Sequence, residues 1–252
     1  MFENALDGKI VLVTGASRGI GAAIAVACAR AGADVAVGYV QNREGAERTV
    51  ASILGLGRQA AAFEADVSDP DQVARMVRAV VEHFGRIDAL VNNAGIMPES
   101  PLLEMSVEEW KHVIDVDLTG AFLCTREVVP AMVERGEGAI INIASRLGQI
   151  GFPGVAHYSA AKAGVIGLTK ALAKELGPKG VRVNAVAPGV TVTDMAAEVM
   201  QGEVGRRRLA ELPAGRFAVP EDVAASVVFL LSEAASMYYG QTLAPNGGGY
   251  MA

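Results

Sequence analysis

Residues 156–164 read AHYSAAKAG, with Tyr158 four positions before Lys162. Residues at i and i+4 share one helix face, so a phenol and an ammonium can act there as a pair. On spacing alone they fit an ordinary surface pair equally well. A second stretch, VTGASRGIG, carries a different chemistry. Gly15, Gly19 and Gly21 leave no side chain between backbone and ligand. The stretch ends a strand pattern and opens a helix pattern, so free N–H groups and the positive dipole end can meet a pyrophosphate. Its spacing is Gly-x-x-x-Gly-x-Gly rather than the more frequent Gly-x-Gly-x-x-Gly. The three histidines, His83, His112 and His157, are too scattered to suggest a metal site, and none is expected.

These residues must be positioned by the elements around them. Apolar runs at 9–14, 34–40, 59–65, 88–93, 139–145, 181–187 and 241–246 read as strands. They are nearly continuous in apolar residues, as expected where both sheet faces are covered. Helical periodicity fills 18–31, 44–56, 70–84, 107–134, 158–176, 195–210 and 220–231. Ser106 to Glu109 spells a capping box, and Pro220 suits a first helical turn. Alternation of strand and helix predicts a doubly wound parallel sheet. Residues 188–219 form the longest irregular stretch, a length usual for functional lids or partly helical segments.

A chain of 252 residues lies within the range of one α/β domain, and half of it is hydrophobic, enough for a large core. The net charge of -6 argues against a nucleic-acid binder and against an anionic-membrane binder. Cys28 and Cys124 are far apart and lie in apolar helical stretches, which predicts two reduced core thiols and a cytoplasmic setting. The start, MFENALDGKIVLVTG, lacks a basic region followed by a long apolar one, so no secretory signal is expected. No apolar run reaches the roughly 18 residues needed to span a bilayer.

TGASRGIG, NNAG at 92–95, Ser145, YSAAK at 158–162 and PG at 188–189 occur in that order. With this set the chain resembles a short-chain dehydrogenase/reductase over essentially its whole length. Its tail is most similar to that of the 3-oxoacyl-[acyl-carrier-protein] reductases. The resemblance implies a single-domain Rossmann fold over 1–252, a doubly wound seven-stranded parallel sheet with helices on both faces, and residues 188–219 covering the substrate. It implies carbonyl reduction or alcohol oxidation with a nicotinamide cofactor. Tyr158 would be the general acid for reduction or base for oxidation, Lys162 would lower its pKa and bind the nicotinamide ribose, and Ser145 would hydrogen-bond the substrate oxygen. The cofactor would meet Gly15, Ser17, Arg18, Gly19, Ile20 and Gly21 of the turn. It would also meet Tyr39, Asp66 and Val67, the run Asn93, Ala94 and Gly95, then Pro188, Gly189, Val190 and Thr193. The roles agree with the chemistry. A free tyrosine titrates near pH 10 and is a poor base at neutral pH, and a neighbouring ammonium favours the phenolate.

The family commonly carries asparagine where this chain has Asp117, in IDVDLTG. An ionised aspartate accepts hydrogen bonds but donates none, and its charge opposes a tyrosinate. Asp117 is expected to stay in the proton relay and shift the pH profile. Tyr39 occupies the strand end where an acidic residue would accept the ribose 2′-OH. Arg18, with Arg43 nearby, could grip a 2′-phosphate. The expected cofactor is therefore NADP(H), with NAD(H) as the alternative. Gln149, Phe152 and His157 are candidates for lining the substrate pocket. The family's carrier-protein patch corresponds to Arg135 and Lys179, diluted by Glu134 and Glu137, so an acyl thioester, a ketone, a small alcohol or a sugar all stay open as substrates. The resemblance implies a homotetramer built on the helices at 107–134 and 158–176. Three functions fit the sequence: an NADP(H)-dependent reductase, an NAD-linked dehydrogenase of a secondary alcohol or sugar, and a non-catalytic NADPH-binding regulator, which the intact Ser145–Tyr158–Lys162 set argues against.

Overall fold

Val11, Leu12 and Val13 are wholly enclosed, although they are consecutive in the chain. Successive strand residues point to opposite faces, so both faces here must be covered. Val11 and Val13 enter one core with Ile24, Cys28, Val227 and Leu230. Leu12 enters the other with Val77, Val80, Val128 and Met132. The same division recurs in the strand at 138–143, where Ile141 joins the first core and Ile140 the second.

The computed structural model describes residues 4–193, 200 and 202–251. Its strands are β1 Ile10–Val13, β2 Asp34–Tyr39, β3 Ala60–Glu64, β4 Ala89–Asn92, β5 Gly138–Ile143, β6 Val181–Val186 and β7 Thr242–Leu243. They form one seven-stranded sheet in the order β3-β2-β1-β4-β5-β6-β7, and every adjacent pair is parallel. The chain reverses its winding between β1 and β4, and ligands of such sheets bind at the carboxyl ends beside that point.

The helices are α1 Gly19–Arg30, α2 Arg43–Leu54, α3 Pro70–Phe84, α4 Val107–Ile114, α5 Gly120–Arg135, α6 Leu147–Ile150, α7 Ala156–Leu176, α8 Gly202–Ala210 and α9 Pro220–Leu231. The capping box is formed: Glu109 N–H donates to Ser106 Oγ at 3.0 Å, and Ser106 N–H to Glu109 Oε2 at 3.3 Å. Pro220 opens α9. The single helix expected over 107–134 is instead interrupted by a π-helical turn, Asp115–Thr119. Such bulges admit an extra residue and re-aim side chains, often at functional sites. Of the helix expected over 195–210, residues 195–199 and 201 lie outside the described residues, and the rest is α8. The last strand is shorter than the expected 241–246.

Buried polar side chains tie the strands to the helices behind them. Asn92 Nδ2 donates to Asn142 Oδ1 at 2.8 Å and to Thr125 Oγ1 at 3.0 Å, and Asn142 Nδ2 donates to Thr169 Oγ1 at 2.9 Å. This links β4 and β5 to α5 and α7, the frame of the site. Cys28 and Cys124 are unpaired and buried, their thiols pushed up to about 12 by burial. No helix among the described residues is long and apolar enough to cross a membrane.

Candidate active site

The turn after β1 works by close approach. Gly15 has φ +63, a left-handed conformation that glycine adopts without strain. A Cβ on Gly21 would stand 2.3 Å from Gly15 O and 2.4 Å from Asn93 Nδ2, so only glycine fits. Asn93 locks the turn from β4, its Nδ2 donating to Thr14 O at 2.9 Å and Gly15 O at 3.1 Å. Thr14 Oγ1 returns the tie by accepting the N–H groups of Asn93 and Ala94 at 3.0 and 3.1 Å. Arg18 stands at the N-cap of α1 with extended backbone, and no acidic residue follows in the first turn.

β5 and α7 bring the reactive side chains together. Ser145 follows β5, and its Oγ accepts Leu147 N–H at 3.1 Å. Tyr158 lies in the first turn of α7, and Lys162 follows one turn on. The Lys162 Nζ is 5.5 Å from the centre of the Tyr158 ring and donates to Ile143 O, at the end of β5, at 3.0 Å. All three residues are buried.

The π turn delivers Asp117 to the same place. Its Oδ1 accepts Ile96 N–H at 2.8 Å. Its Oδ2 forms an ion pair with Lys162 Nζ at 3.1 Å. Burial alone would lower Lys162, but the charges of Asp117 and Tyr158 outweigh it and hold the ammonium above its usual range. Burial also keeps Asp117 above the usual carboxylate range, against the pull of Lys162. Tyr158 is raised above the ordinary phenol by burial, with Asp117 adding to the rise, while Lys162 and Ser145 oppose it. The net shift favours the protonated phenol.

One cavity of about 690 Å³ joins the two halves, within the range of small-molecule and cofactor sites. Every residue expected to hold the cofactor borders it, from Gly15 to Thr193, together with Ser145, Tyr158, Lys162 and Asp117. A backbone cradle at a helix N-terminus at one end and a phenol–ammonium pair at the other fit a dinucleotide with a reactive ring. Asp66 borders the cavity, but its Oδ1 is engaged by Ser68 Oγ at 2.7 Å and Ser68 N–H at 2.9 Å. Tyr39 donates its hydroxyl to Glu64 Oε2 at 3.2 Å, across the β2–β3 pairing. Arg43 pairs with Glu47 at 2.8 Å and does not border the cavity.

The substrate candidates divide. Phe152 borders the cavity, but Gln149 and His157 do not, which corrects the expectation that they line it. Leu147 borders the cavity, and a residue two positions further along a helix faces away from it. His157, in the first turn of α7, is fully enclosed, its Nδ1 accepting Tyr158 N–H at 2.8 Å. Arg146, Arg208, Met97 and Glu99 also border the cavity and were not anticipated. Arg146 was legible as a charge directly after Ser145, whereas nothing local marked Arg208.

A family profile described as enoyl-(acyl carrier protein) reductase matches residues 15–250, and the chain belongs to the short-chain dehydrogenase/reductase family of oxidoreductases. Among its relatives is the 3-oxoacyl-[acyl-carrier-protein] reductase FabG of Staphylococcus aureus, 46% identical over 96% of this chain and 98% of that one. The crystal structure of a 3-oxoacyl-[acyl-carrier protein] reductase from Brucella melitensis is 40% identical, covers 100% of this chain and 94% of that one, and superposes with a TM-score of 0.92. A crystal structure from Beutenbergia cavernae, provisionally called an NAD(P)-dependent gluconate 5-dehydrogenase and holding NADP at low occupancy, is 42% identical over 98% of each chain, with a TM-score of 0.92.

Proposed function

We propose that the protein reduces a ketone to a secondary alcohol with NADP(H), using Ser145, Tyr158 and Lys162. The observation that carries this is their convergence with the glycine-rich turn on one cavity. When bound, the nicotinamide supplies the hydride that reaches the carbonyl carbon. Ser145 and Tyr158 orient the carbonyl oxygen by hydrogen bonds, where negative charge develops. Tyr158 gives that oxygen its proton, and its raised pKa in the protein alone suits the acid role. Lys162 steadies the phenolate left behind, and Asp117 holds Lys162 charged. In the reverse direction, Tyr158 takes the proton of the alcohol.

The preference for NADP(H) over NAD(H) rests on Arg18 at the mouth of the turn and on Tyr39 where an acid would repel a 2′-phosphate. A carrier-protein substrate is less well supported than a free or coenzyme-A-linked ketone. Arg135, half of the anticipated patch, donates Nη2 to Ile87 O at 2.7 Å and is committed to the fold. Oxidation of a secondary alcohol or sugar acid is the second reading, favoured by the likeness to the Beutenbergia cavernae structure. A cytoplasmic homotetramer goes with the primary reading. Ala160, Ala163 and Gly167 are exposed along α7, as are Val107, Trp110 and Phe122 on α4 and α5.

The test is NADPH oxidation against acetoacetyl thioesters, diketones, aryl ketones and ketoses, with NADH in parallel. Tyr158→Phe is expected to lower kcat by about a thousandfold, within the usual range for loss of a general acid, while NADPH still binds. A loss under tenfold would refute the role of Tyr158, and kcat/KM for NADH at or above that for NADPH would refute the cofactor preference.

A further inference from the structure

The geometry points to an oxyanion subsite at the substrate end of the cavity, where Arg146 and Arg208, backed by Phe152, select a ketone that carries a carboxylate or phosphate. This rests on the carbonyl-reductase reading and names its substrate class. Arg146 directly follows Ser145 in the chain, and both border the cavity. Its backbone is fixed, with its N–H donating to Pro188 O at 3.0 Å. Its side chain is half-buried, and Nη1 donates to Gly249 O at 3.1 Å. Arg208 comes from α8, its guanidinium 4.9 Å from the centre of the Phe152 ring. Both arginines and Phe152 border the same cavity.

Two guanidiniums gathered at a partly dry site need a reason. Burial, then the like charge of Arg208, lowers the Arg146 pKa, and Glu211 compensates only in part. Among the described residues, neither arginine is ion-paired. Glu211 reaches Arg207 instead, at 4.0 Å. Glu99 and His112 also border the cavity, neither of them ion-paired to these arginines, and Glu99 is exposed to solvent. A guanidinium has five donors in a fork that matches carboxylate and phosphate oxygens, and Arg146 spends one of them on Gly249. The cofactor's pyrophosphate has its own cradle at the start of α1, so it does not account for this pair. Met97, Leu147 and Val155 add apolar surface to the same cavity.

Two matched pairs test the subsite: 4-oxopentanoate against its methyl ester, and acetoacetyl-phosphopantetheine against acetoacetyl-pantetheine. Each pair differs by one anionic group, and the two pairs separate a carboxylate from a phosphate. In the wild-type enzyme with NADPH, the anionic member of at least one pair is expected to exceed its neutral partner in kcat/KM by about tenfold to a hundredfold, the range for hydrogen bonds to charged groups. The advantage should lie mainly in KM. Arg208→Gln should bring the ratio close to one, Arg208→Glu should invert it, and Arg208→Lys should keep part of it. Ratios near one for both pairs in the wild type, or ratios unmoved by Arg208→Gln, would overturn the subsite. If none of the four ketones is reduced, it is the carbonyl-reductase reading that fails. Calorimetry of glutarate on NADPH-loaded protein then decides the subsite alone: binding lost in Arg208→Gln upholds it, and equal binding overturns it.

Discussion

The two halves of the cavity meet a ligand by different means. On the β1–β3 side the chain offers backbone: Gly15 in a left-handed conformation, Gly21 with no room for a Cβ, and the N–H groups at the start of α1. On the β4–β6 side it offers buried side chains, and Ser145, Tyr158, Lys162 and Asp117 all lie at or under 9% exposure. The backbone cradle depends on what is left out of it. The catalytic cluster depends on charges whose burial is costly unless they are paired. The first half should therefore fail by steric substitution with little pH dependence, and the second by changes of charge.

Gly21→Ala breaks the comparison most severely. Its Cβ would meet Gly15 O at 2.3 Å, so the turn must move. A loss of roughly 1–3 kcal/mol in stability is expected from such overpacking, together with loss of NADPH affinity. Thermal melts and a fluorescence titration check it, and unaltered affinity would show that the cradle does not need this approach. Asp117→Asn sharpens the contrast on the other side. The Asp117 charge helps to hold Tyr158 above the ordinary phenol, so its removal should lower the Tyr158 pKa. The rise of alcohol oxidation with pH, and the decline of ketone reduction, should then both move to lower pH. Superimposable kcat–pH profiles for the wild type and this variant would remove Asp117 from the relay. The smallest effect is expected at Asp222, which does not border the cavity. The Arg216 guanidinium, 2.6 Å away, lowers Asp222 from 3.8 to about 2. A carboxylate depressed on folding stabilises above its unfolded pKa, and this contribution fades as pH falls from 3.8 toward 2. The pair is largely solvent-exposed, so Asp222→Asn should cost under about 1 kcal/mol at neutral pH and nothing measurable in kcat. Denaturant melts at pH 7 and pH 2 test it.

The helix over 70–84 was legible to the residue, because Asp69 and Pro70 mark its start and Gly85 its end. The helix over 107–134 was not. Its apolar pattern runs through the π turn without a break, and a one-residue bulge leaves no signature in periodicity. Phe152 and His157 looked alike as pocket candidates because both lie near α7. Packing separated them, leaving the phenyl ring at the cavity and the imidazole fully enclosed away from it.

The sequence by itself determined what acts over short distances: alternating strands and helices, the glycines of the first turn, and the one-turn spacing that sets Tyr158 beside Lys162. Helix pitch, strand pleat and the missing Cβ of glycine are properties of a few neighbouring residues, so they can be read along the chain. Only the tertiary structure brought the end of β5 and Asp117 of the π turn to Lys162, left Gln149 off the cavity, and gathered Ser145, Arg146 and Arg208 around it. Those encounters join residues separated in sequence by tens of positions, and they are fixed by how the helices seat on the sheet.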